Sequence, residues 1–346
     1  MNYPECLSPF EPKKWTPDRY QEMERRTLEF HLEHNPTYKK IYRALKRDQQ
    51  IPYLPISLFK TQDLRWFEGT ASATFHSSGT TQAAKSQHHM KDTGVYSTSV
   101  SGGFELFLED IGWVDDQFIF SVVSPPLIHS SLFYMMQVLQ GSWGAVGFLV
   151  KDTRPETVRE FHSLISSNLT EDCDSVLLFG TSLMIHQFLE ALMEVPEVHL
   201  PPGLLLQTGG PKRMEGEIDI EATTIQLAAR LGWNLADCHF EYSMSELSSQ
   251  MYTKNGLTPG QRPVYYPPPW MKVEVVDPFT QEPVDSGTEG VVAVRDLANV
   301  WSCPFIITED AGILGEDGGL TVLGRVQGAL AKGCSLTADQ VTGGRE

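Results

Sequence analysis

Between residues 118 and 241, short apolar runs alternate with stretches of helical length, and this alternation limits the fold more than any other feature. Residues 118–123 read as a buried strand. A helix over 130–140, a strand over 145–150, a helix over 154–168, a strand over 175–180, a helix over 183–193, a strand over 204–207, a helix over 217–230 and a strand over 238–241 follow. Units of this kind are βαβ crossovers, so the chain is expected to be an α/β protein with a mainly parallel sheet. Ligands of such sheets gather beyond the carboxyl ends of the strands.

The flanks add two further textures. Thr16-Pro17 predicts a helix start that runs to Asn35-Pro36, with a second short helix over 37–45 and a third over 93–109. Residues 51–59 carry two prolines and read as an extended lead-in rather than a central strand. From Pro259 prolines cluster, and short strands over 272–276, 290–295, 304–308 and 320–323 are separated by turn signals. This predicts a small antiparallel sheet or barrel. The expected division is therefore an α/β body over 1–258, a small antiparallel β subdomain over 259–325, and a Gly- and Ser-rich tail over 326–346 that carries Cys334.

Composition excludes several classes of function. The 346 residues carry a formal net charge of -17. That balance argues against nucleic acid and against an anionic membrane surface, while leaving room for a nucleotide held in a local positive pocket. Cys6, Cys173, Cys238, Cys303 and Cys334 are odd in number and form no C-x-x-C pair. Reduced thiols in a cytoplasmic protein are expected, not a disulfide framework or a zinc site. No basic and apolar leader precedes the first helix and no apolar run has the length of a membrane span.

Four constellations could carry chemistry. Ser77-Ser-Gly-Thr-Thr-Gln-Ala-Ala-Lys85 offers backbone N–H groups, hydroxyls and one ammonium to an anionic oxygen cluster, without the Walker spacing. The plain alternative is a Ser/Thr-rich surface loop. Tyr242-Ser-Met-Ser245-Glu246, just past a strand, pairs a hydroxyl for phosphate with a carboxylate for Mg²⁺, or else caps a helix. Thr208-Gly209-Gly210 permits close backbone approach to a ligand, or is a simple turn. Asp310 and Arg325 could meet ribose and phosphate, or form a surface ion pair on an exposed hairpin.

The order of these motifs, from Ser77 to Arg325, resembles that of the adenylate-forming superfamily of acyl-CoA synthetases, adenylation domains and luciferases. Ser77-Ser-Gly-Thr-Thr-Gln82 with Lys85-Ser86 and His88, Tyr242-Ser-Met-Ser-Glu-Leu-Ser-Ser-Gln-Met-Tyr252, Leu323-Gly-Arg325 and Lys332-Gly-Cys-Ser-Leu336 most resemble the acyl-protein synthetases of bacterial luminescence systems, the LuxE type. The phenylacetate-CoA ligase branch is the nearest neighbour. The resemblance implies the N-terminal-domain fold of that superfamily, with the mobile C-terminal domain largely absent and a hinge remnant after Arg325.

It also implies site roles. Ser77, Ser78, Gly79, Thr80, Thr81 and Lys85 match the triphosphate loop, and Gly209 and Gly210 match the segment beside adenine. Tyr242 matches the residue stacked on adenine, Ser245 a phosphate-contacting hydroxyl, Glu246 the Mg²⁺ ligand, Asp310 the ribose-binding aspartate and Arg325 the hinge arginine. His129 resembles the residue lining the acyl pocket, although a lone His is more often structural. Gln327 replaces the usual acidic hinge residue, and Lys332 is a candidate for the missing C-terminal lysine only by its place in sequence. Cys334 matches the thiol that takes the acyl group as a thioester and hands it to a reductase partner; beside Lys332, its setting can favour the thiolate. The implied activity is ATP- and Mg²⁺-dependent activation of a carboxylic acid, fatty by family expectation, to acyl-AMP and transfer to a protein thiol. Transfer to CoA or a carrier protein, and a nucleotide-binding scaffold without catalysis, are the alternatives.

Overall fold

The computed structural model describes residues 10–45, 51–77, 85–113, 117–143, 146–209 and 218–327. Thr16 caps the first helix, α1 (Pro17–His34), by accepting the Arg19 N–H at 3.2 Å. Tyr20, Met23, Thr27 and His31 recur on one face of α1 and are buried. Asn35 ends α1, its N–H donating to the His31 carbonyl, and opens α2 (Pro36–Leu45) by accepting the Tyr38 N–H at 2.9 Å. The proline-bearing lead-in stays extended only through β1 (Leu54–Pro55); a 3₁₀ turn over Ile56–Lys60 replaces the rest.

A hairpin follows, made of β2 (Ala73–His76) and β3 (Gln87–Met90). The α/β body then runs as predicted: α3 (Gly94–Asp110), β4 (Ile119–Val123), α4 (Ser131–Ser142), β5 (Val146–Val150), α5 (Pro155–Asn168), β6 (Val176–Thr181), α6 (Ser182–Glu194), β7 (Gly203–Thr208), α7 (Ile220–Leu231) and β8 (Cys238–Tyr242). The remaining strands are β9 (Met251–Thr253), β10 (Val264–Tyr266), β11 (Met271–Val276), β12 (Glu289–Asp296), β13 (Phe305–Leu314) and β14 (Leu320–Arg325).

Strands β4 to β8 are parallel, in the order β8-β7-β6-β4-β5. Alternate side chains face opposite layers. Phe120, Val122, Phe179 and Leu206 pack with Phe104 and Phe107 of α3 and Met135, Met136 and Leu139 of α4. Ile119, Val123, Leu178 and Leu205 pack with residues of α5, α6 and α7, among them Phe161, Phe188 and Leu227. Both faces are covered, which is why these strands read as continuous apolar runs. The chain winds outward from β4 to β5, then returns through β6, β7 and β8, so the winding reverses between β4 and β6. A reversal of this kind opens a crevice at the carboxyl ends of the strands.

Among the described residues the antiparallel strands do not form a separate layer. They continue the same sheet through β9 and β10 to β14, β13, β12 and β11, with β1 parallel to β13, and they do not close into a barrel. The strand expected over 304–308 continues to Leu314, because β14 supplies a partner along its whole second half. Pairing jumps from Ala311 opposite Gly324 to Gly312 opposite Val322, a bulge with one extra residue on β14. Gly324 absorbs it at φ +117°, which a side chain would not readily adopt, and the bulge leaves Arg325 directly opposite Asp310.

A half-buried charge cluster ties α1 to this wing. The Arg295 guanidinium meets Glu24 at 3.1 Å, Glu274 at 2.9 Å and the Tyr53 hydroxyl at 2.7 Å, and the Tyr20 hydroxyl donates to the Arg295 carbonyl at 3.4 Å. Arg295→Ala would leave two half-buried carboxylates without their cation, and should cost about 2 kcal/mol, read as a lowered urea midpoint. Adding Glu24→Gln and Glu274→Gln to that variant should restore part of the loss. Equal midpoints for wild type and Arg295→Ala would show that the cluster carries no stability.

Candidate active site

Among the described residues, several singled out in the sequence meet at the carboxyl ends of β7 and β8. Tyr242 is the last residue of β8, and its hydroxyl donates to Asp310 Oδ2 at 2.8 Å. Asp310 is buried, and its Oδ1 lies 3.3 Å from Arg325 Nε. Arg325 also reaches Glu309 at 3.5 Å, and Lys60 approaches Glu309 at 3.7 Å. Burial raises the Asp310 carboxyl above its ordinary range, while Arg325 and the Tyr242 hydroxyl pull it back. The exposed-hairpin alternative for Asp310 therefore does not hold: the carboxylate is inside the sheet, and only Arg325, at the end of β14, is exposed.

Residues 243–250, which join β8 to β9, form no helix, so Ser245 and Glu246 cap nothing. Their backbone is held from three sides. Asp296 accepts the Ser248 N–H at 2.7 Å and the Ser249 hydroxyl at 2.6 Å. Asn299 donates to the Glu246 carbonyl at 2.7 Å. His88 of β3 contributes Nδ1, 2.9 Å from the Ser245 carbonyl. A carbonyl can only accept, so the neutral His88 ring carries its proton on Nδ1. Its Nε2 then faces the Ser302 hydroxyl at 3.1 Å, and that hydroxyl donates to Asn299 Oδ1 at 2.9 Å.

Through His88 the β2–β3 hairpin is fixed to the segment after β8. The hairpin mouth is zipped by Ser86 N–H donating to Ser77 Oγ at 3.1 Å and Ser77 N–H donating to the Ser86 carbonyl at 3.3 Å. Lys85 is exposed beside it; burial, then His129 and Lys85, lower the pKa of the His76 ring. The loop after β4 docks on the same strand: the His76 N–H donates to the His129 carbonyl at 2.9 Å, and the two rings stand edge to face at 5.1 Å. His129 itself is exposed.

Glu246 is buried, and burial raises its pKa; the Ser86 hydroxyl, and then Arg325 and Lys60, favour its charged form. Among the described residues Ser245 Oγ has only long contacts, 3.4 Å each, to the His76 carbonyl and Ser131 Oγ. Gly209, just past β7, adopts φ +76°, and its carbonyl accepts the Ser182 hydroxyl at 2.9 Å. Ser77, Lys85, Gly209, Tyr242, Ser245, Glu246, Asp310 and Arg325 thus belong to one connected end of the sheet, with His129 on the loop beside it. Ser78, Gly79, Thr80, Thr81, Gly210, Lys332 and Cys334 lie outside the described residues.

Sequence reasoning gave no role to the groups that hold this end together, Asp296, Asn299, Ser302 and the buried ring of His88, because each reads locally as an ordinary polar residue. It also passed over Glu241, whose carboxyl is buried at the end of β8 and hydrogen-bonded by the Thr208 hydroxyl of β7. The one available signal was a charged residue at the end of a run expected to be buried.

Three comparisons bear on this arrangement. A family profile, Acyl-protein synthetase, LuxE, matches residues 20–342. The long-chain-fatty-acid–luciferin-component ligase of Vibrio harveyi is 32% identical over 79 residues, 21% of this chain and 21% of that protein. Among solved structures, ATP-bound MatB from Rhodopseudomonas palustris superposes with a TM-score of 0.51 at 17% identity, over 75% of this chain and 49% of that one. A 2-hydroxyisobutyryl-CoA ligase in complex with 2-HIB-AMP and CoA gives a TM-score of 0.66 at 13% identity, over 91% of this chain and 70% of that one. At such identities the likeness is one of fold, that of adenylate-forming enzymes. The chain spans about a fifth of the length of the Vibrio ligase and about half that of MatB.

The His88 tether has a pH signature. Burial pushes this ring down to about 4, from an ordinary value of 6.5. Between those two values an unfolded His88 takes up a proton that the folded ring refuses. The stability it contributes is therefore complete above pH 6.5 and is lost as the pH falls toward 4. The His88 ring resonance, assigned by comparison with His88→Gln, should titrate with a midpoint near 4 by NMR. A midpoint at 6 or above would mean that burial does not hold the folded ring neutral.

Proposed function

We propose, from the premise that this chain belongs to the LuxE acyl-protein synthetase family, that it activates a carboxylic acid with ATP and passes the acyl group to a protein thiol. The observation that carries this reading is one network joining four distant segments: Tyr242 to Asp310, Asp310 to Arg325, and the β2–β3 hairpin to Ser245 through His88. These are the segments that the sequence motifs single out.

The donors present fit a nucleotide with its metal. Among the described residues no three His, Cys, Asp or Glu side chains converge on a metal. Mg²⁺ carried on phosphates needs only one or two carboxylates, and Glu246, a buried oxygen donor near the hairpin mouth, is the residue that would hold it. When bound, that ion would neutralise charge developing on the leaving pyrophosphate. Lys85 adds an exposed positive charge at the same mouth. Ser245, weakly engaged at 3.4 Å, can turn its hydroxyl to a phosphate oxygen. Tyr242 offers a ring face, fixed by its bond to Asp310, for a base to stack on. The Asp310 carboxylate has lone pairs beyond those used by Tyr242 and Arg325, enough to accept from ribose hydroxyls.

In the first step a carboxylate oxygen of the acid attacks the α-phosphorus, the bond to the bridging oxygen breaks, and pyrophosphate leaves. In the second a thiolate attacks the acyl carbon and AMP departs with the oxygen it shared. Splitting the acylation in this way is covalent catalysis. Cys334 is the proposed thiol. It follows Gln327 by seven residues, a covalent reach of at most about 25 Å. A fatty acid as substrate and a reductase as final acceptor are the family's expectations for this chain.

Acid-dependent ATP–pyrophosphate exchange tests the first step, and Glu246→Gln should reduce it by about 100-fold, the usual effect of removing one charge-stabilising group. Cys334→Ala should keep the exchange and abolish a hydroxylamine-labile acyl label on the protein. A label that survives in Cys334→Ala would refute the carrier role. Products formed only with CoA would move the acceptor from protein to coenzyme.

A further inference from the structure

The turn after β1 brings to the rim of the site a lysine that no sequence motif singles out. β1 runs parallel to β13, with Leu54 opposite Ile306 and Pro55 opposite Ile307, so the chain leaves β1 on the side where β13 reaches Glu309 and Asp310. The 3₁₀ turn over Ile56–Lys60 buries Ile56, Leu58 and Phe59, and the Thr61 N–H closes it on the Leu58 carbonyl at 3.1 Å. The Phe59 ring stands edge to face against His88 at 5.7 Å, the same ring that holds the Ser245 carbonyl. The turn is thus wedged between β13 and β3. Buried neighbours fix the backbone of Lys60, while its side chain stays 42% exposed.

Among the described residues Lys60 meets one carboxylate, and loosely. Its Nζ lies 3.7 Å from Glu309 Oε2, and Arg325 reaches the same oxygen at 3.5 Å. Neither distance is that of a well-formed hydrogen bond. An exposed pair of this kind adds little to stability. The buried charge that Lys60 acts on is Glu246, where Arg325 and then Lys60 are the cations that favour the carboxylate. Three cations therefore gather near this end of the sheet from separate elements: Lys85 from the hairpin mouth, Arg325 from the end of β14 and Lys60 from the turn after β1.

We propose that Lys60 is a further nucleotide-binding residue, whose ammonium leaves Glu309 for an oxygen of the β- or γ-phosphate when ATP is bound. The inference rests on the ligase reading and adds to it a cation outside the Ser77–Lys85 loop. With Glu246 given over to the metal, Lys60 and Arg325 are left to face the phosphates. A compact charge on a flexible stem can make that move, and only a loose pair is given up. Glu309 is then the competitor that holds both cations in the free protein.

The test is calorimetry of the full chain with ATP and Mg²⁺, with pyrophosphate and Mg²⁺, and with AMP. Lys60→Ala should weaken ATP and pyrophosphate about tenfold at low ionic strength, the scale of a hydrogen bond between charged groups. AMP, which lacks the β- and γ-phosphates, should bind as before. The loss should shrink as salt is raised. Lys60→Gln, which keeps the stem without the charge, should repeat it, and Lys60→Arg should recover most of the affinity. Glu309→Gln should not weaken ATP, and the loss should persist in Lys60→Ala/Glu309→Gln. Recovery in that double variant would show that Lys60 only neutralises Glu309, and would overturn the inference. Equal ATP affinity in wild type and Lys60→Ala, or a matching loss for AMP, would also overturn it and leave the ligase reading standing. No ATP binding by the wild type, with no exchange for any acid, would overturn both.

Discussion

A buried stretch of backbone without regular secondary structure has to find a partner for every N–H and carbonyl it hides, and residues 246–250 are such a stretch. Asp296 is the main solution. One buried carboxylate accepts the Ser248 N–H, the Ser249 hydroxyl and the Ala298 N–H, and Ser249 is further held by the indole N–H of Trp270 at 2.9 Å. Asn299 and His88 take the carbonyls of Glu246 and Ser245. Tyr242, Ser245 and Glu246 point where they do because this polar knot fixes the backbone between them. The groups with candidate chemistry depend on groups that have none.

The knot also explains why one sheet can be parallel on one side and antiparallel on the other without a break. The turn over 243–250 reverses the chain at the carboxyl end of β8, and β9 returns beside it with Tyr252 opposite Glu241. From there hairpin connections replace crossover helices. The change of direction therefore happens at the edge of the crevice, and residues from both halves reach it: Thr208, Glu241 and Tyr242 from parallel strand ends, Asp310 and Arg325 from the bulged pair β13 and β14. The bulge at Leu323 is a local irregularity with a positional effect, since without the extra residue Arg325 would not stand opposite Asp310.

Much of this was legible in the sequence where the signal is periodic. Continuous apolar runs separated by helical lengths gave β4 to β8 and α4 to α7 within a few residues, because both faces of those strands are buried. Thr16-Pro17 marked the start of α1 because capping is local chemistry. The hairpin of β2 and β3 was not legible: four residues a side, with Gln87-His88-His89 in one strand, have no apolar alternation to read. Nor was the full length of β13, since Glu309 and Asp310 interrupt its pattern and only pairing with β14 keeps them in the strand. Among candidate site residues, Tyr242, Glu246 and Asp310 could be named from motif order, whereas Asp296 and His88 could not be given their roles. Their importance lies in contacts with residues 47 and 157 positions away, which no local window contains.

The electrostatics of this end of the sheet follow from burial more than from net charge. Glu241, Glu246, Asp296 and Asp310 are all raised, in each case by burial first. Asp296 is compensated by three donors and Asp310 by Tyr242 and Arg325. Glu246 has only a hydroxyl close by, with Arg325 and Lys60 as weaker influences, and Glu241 has no cation. The two least compensated carboxyls thus stand at opposite sides of Tyr242, one toward the hairpin mouth and one toward the α3 and α4 face. Among the described residues no cation acts on Glu241, and only Arg325 and Lys60 act on Glu246.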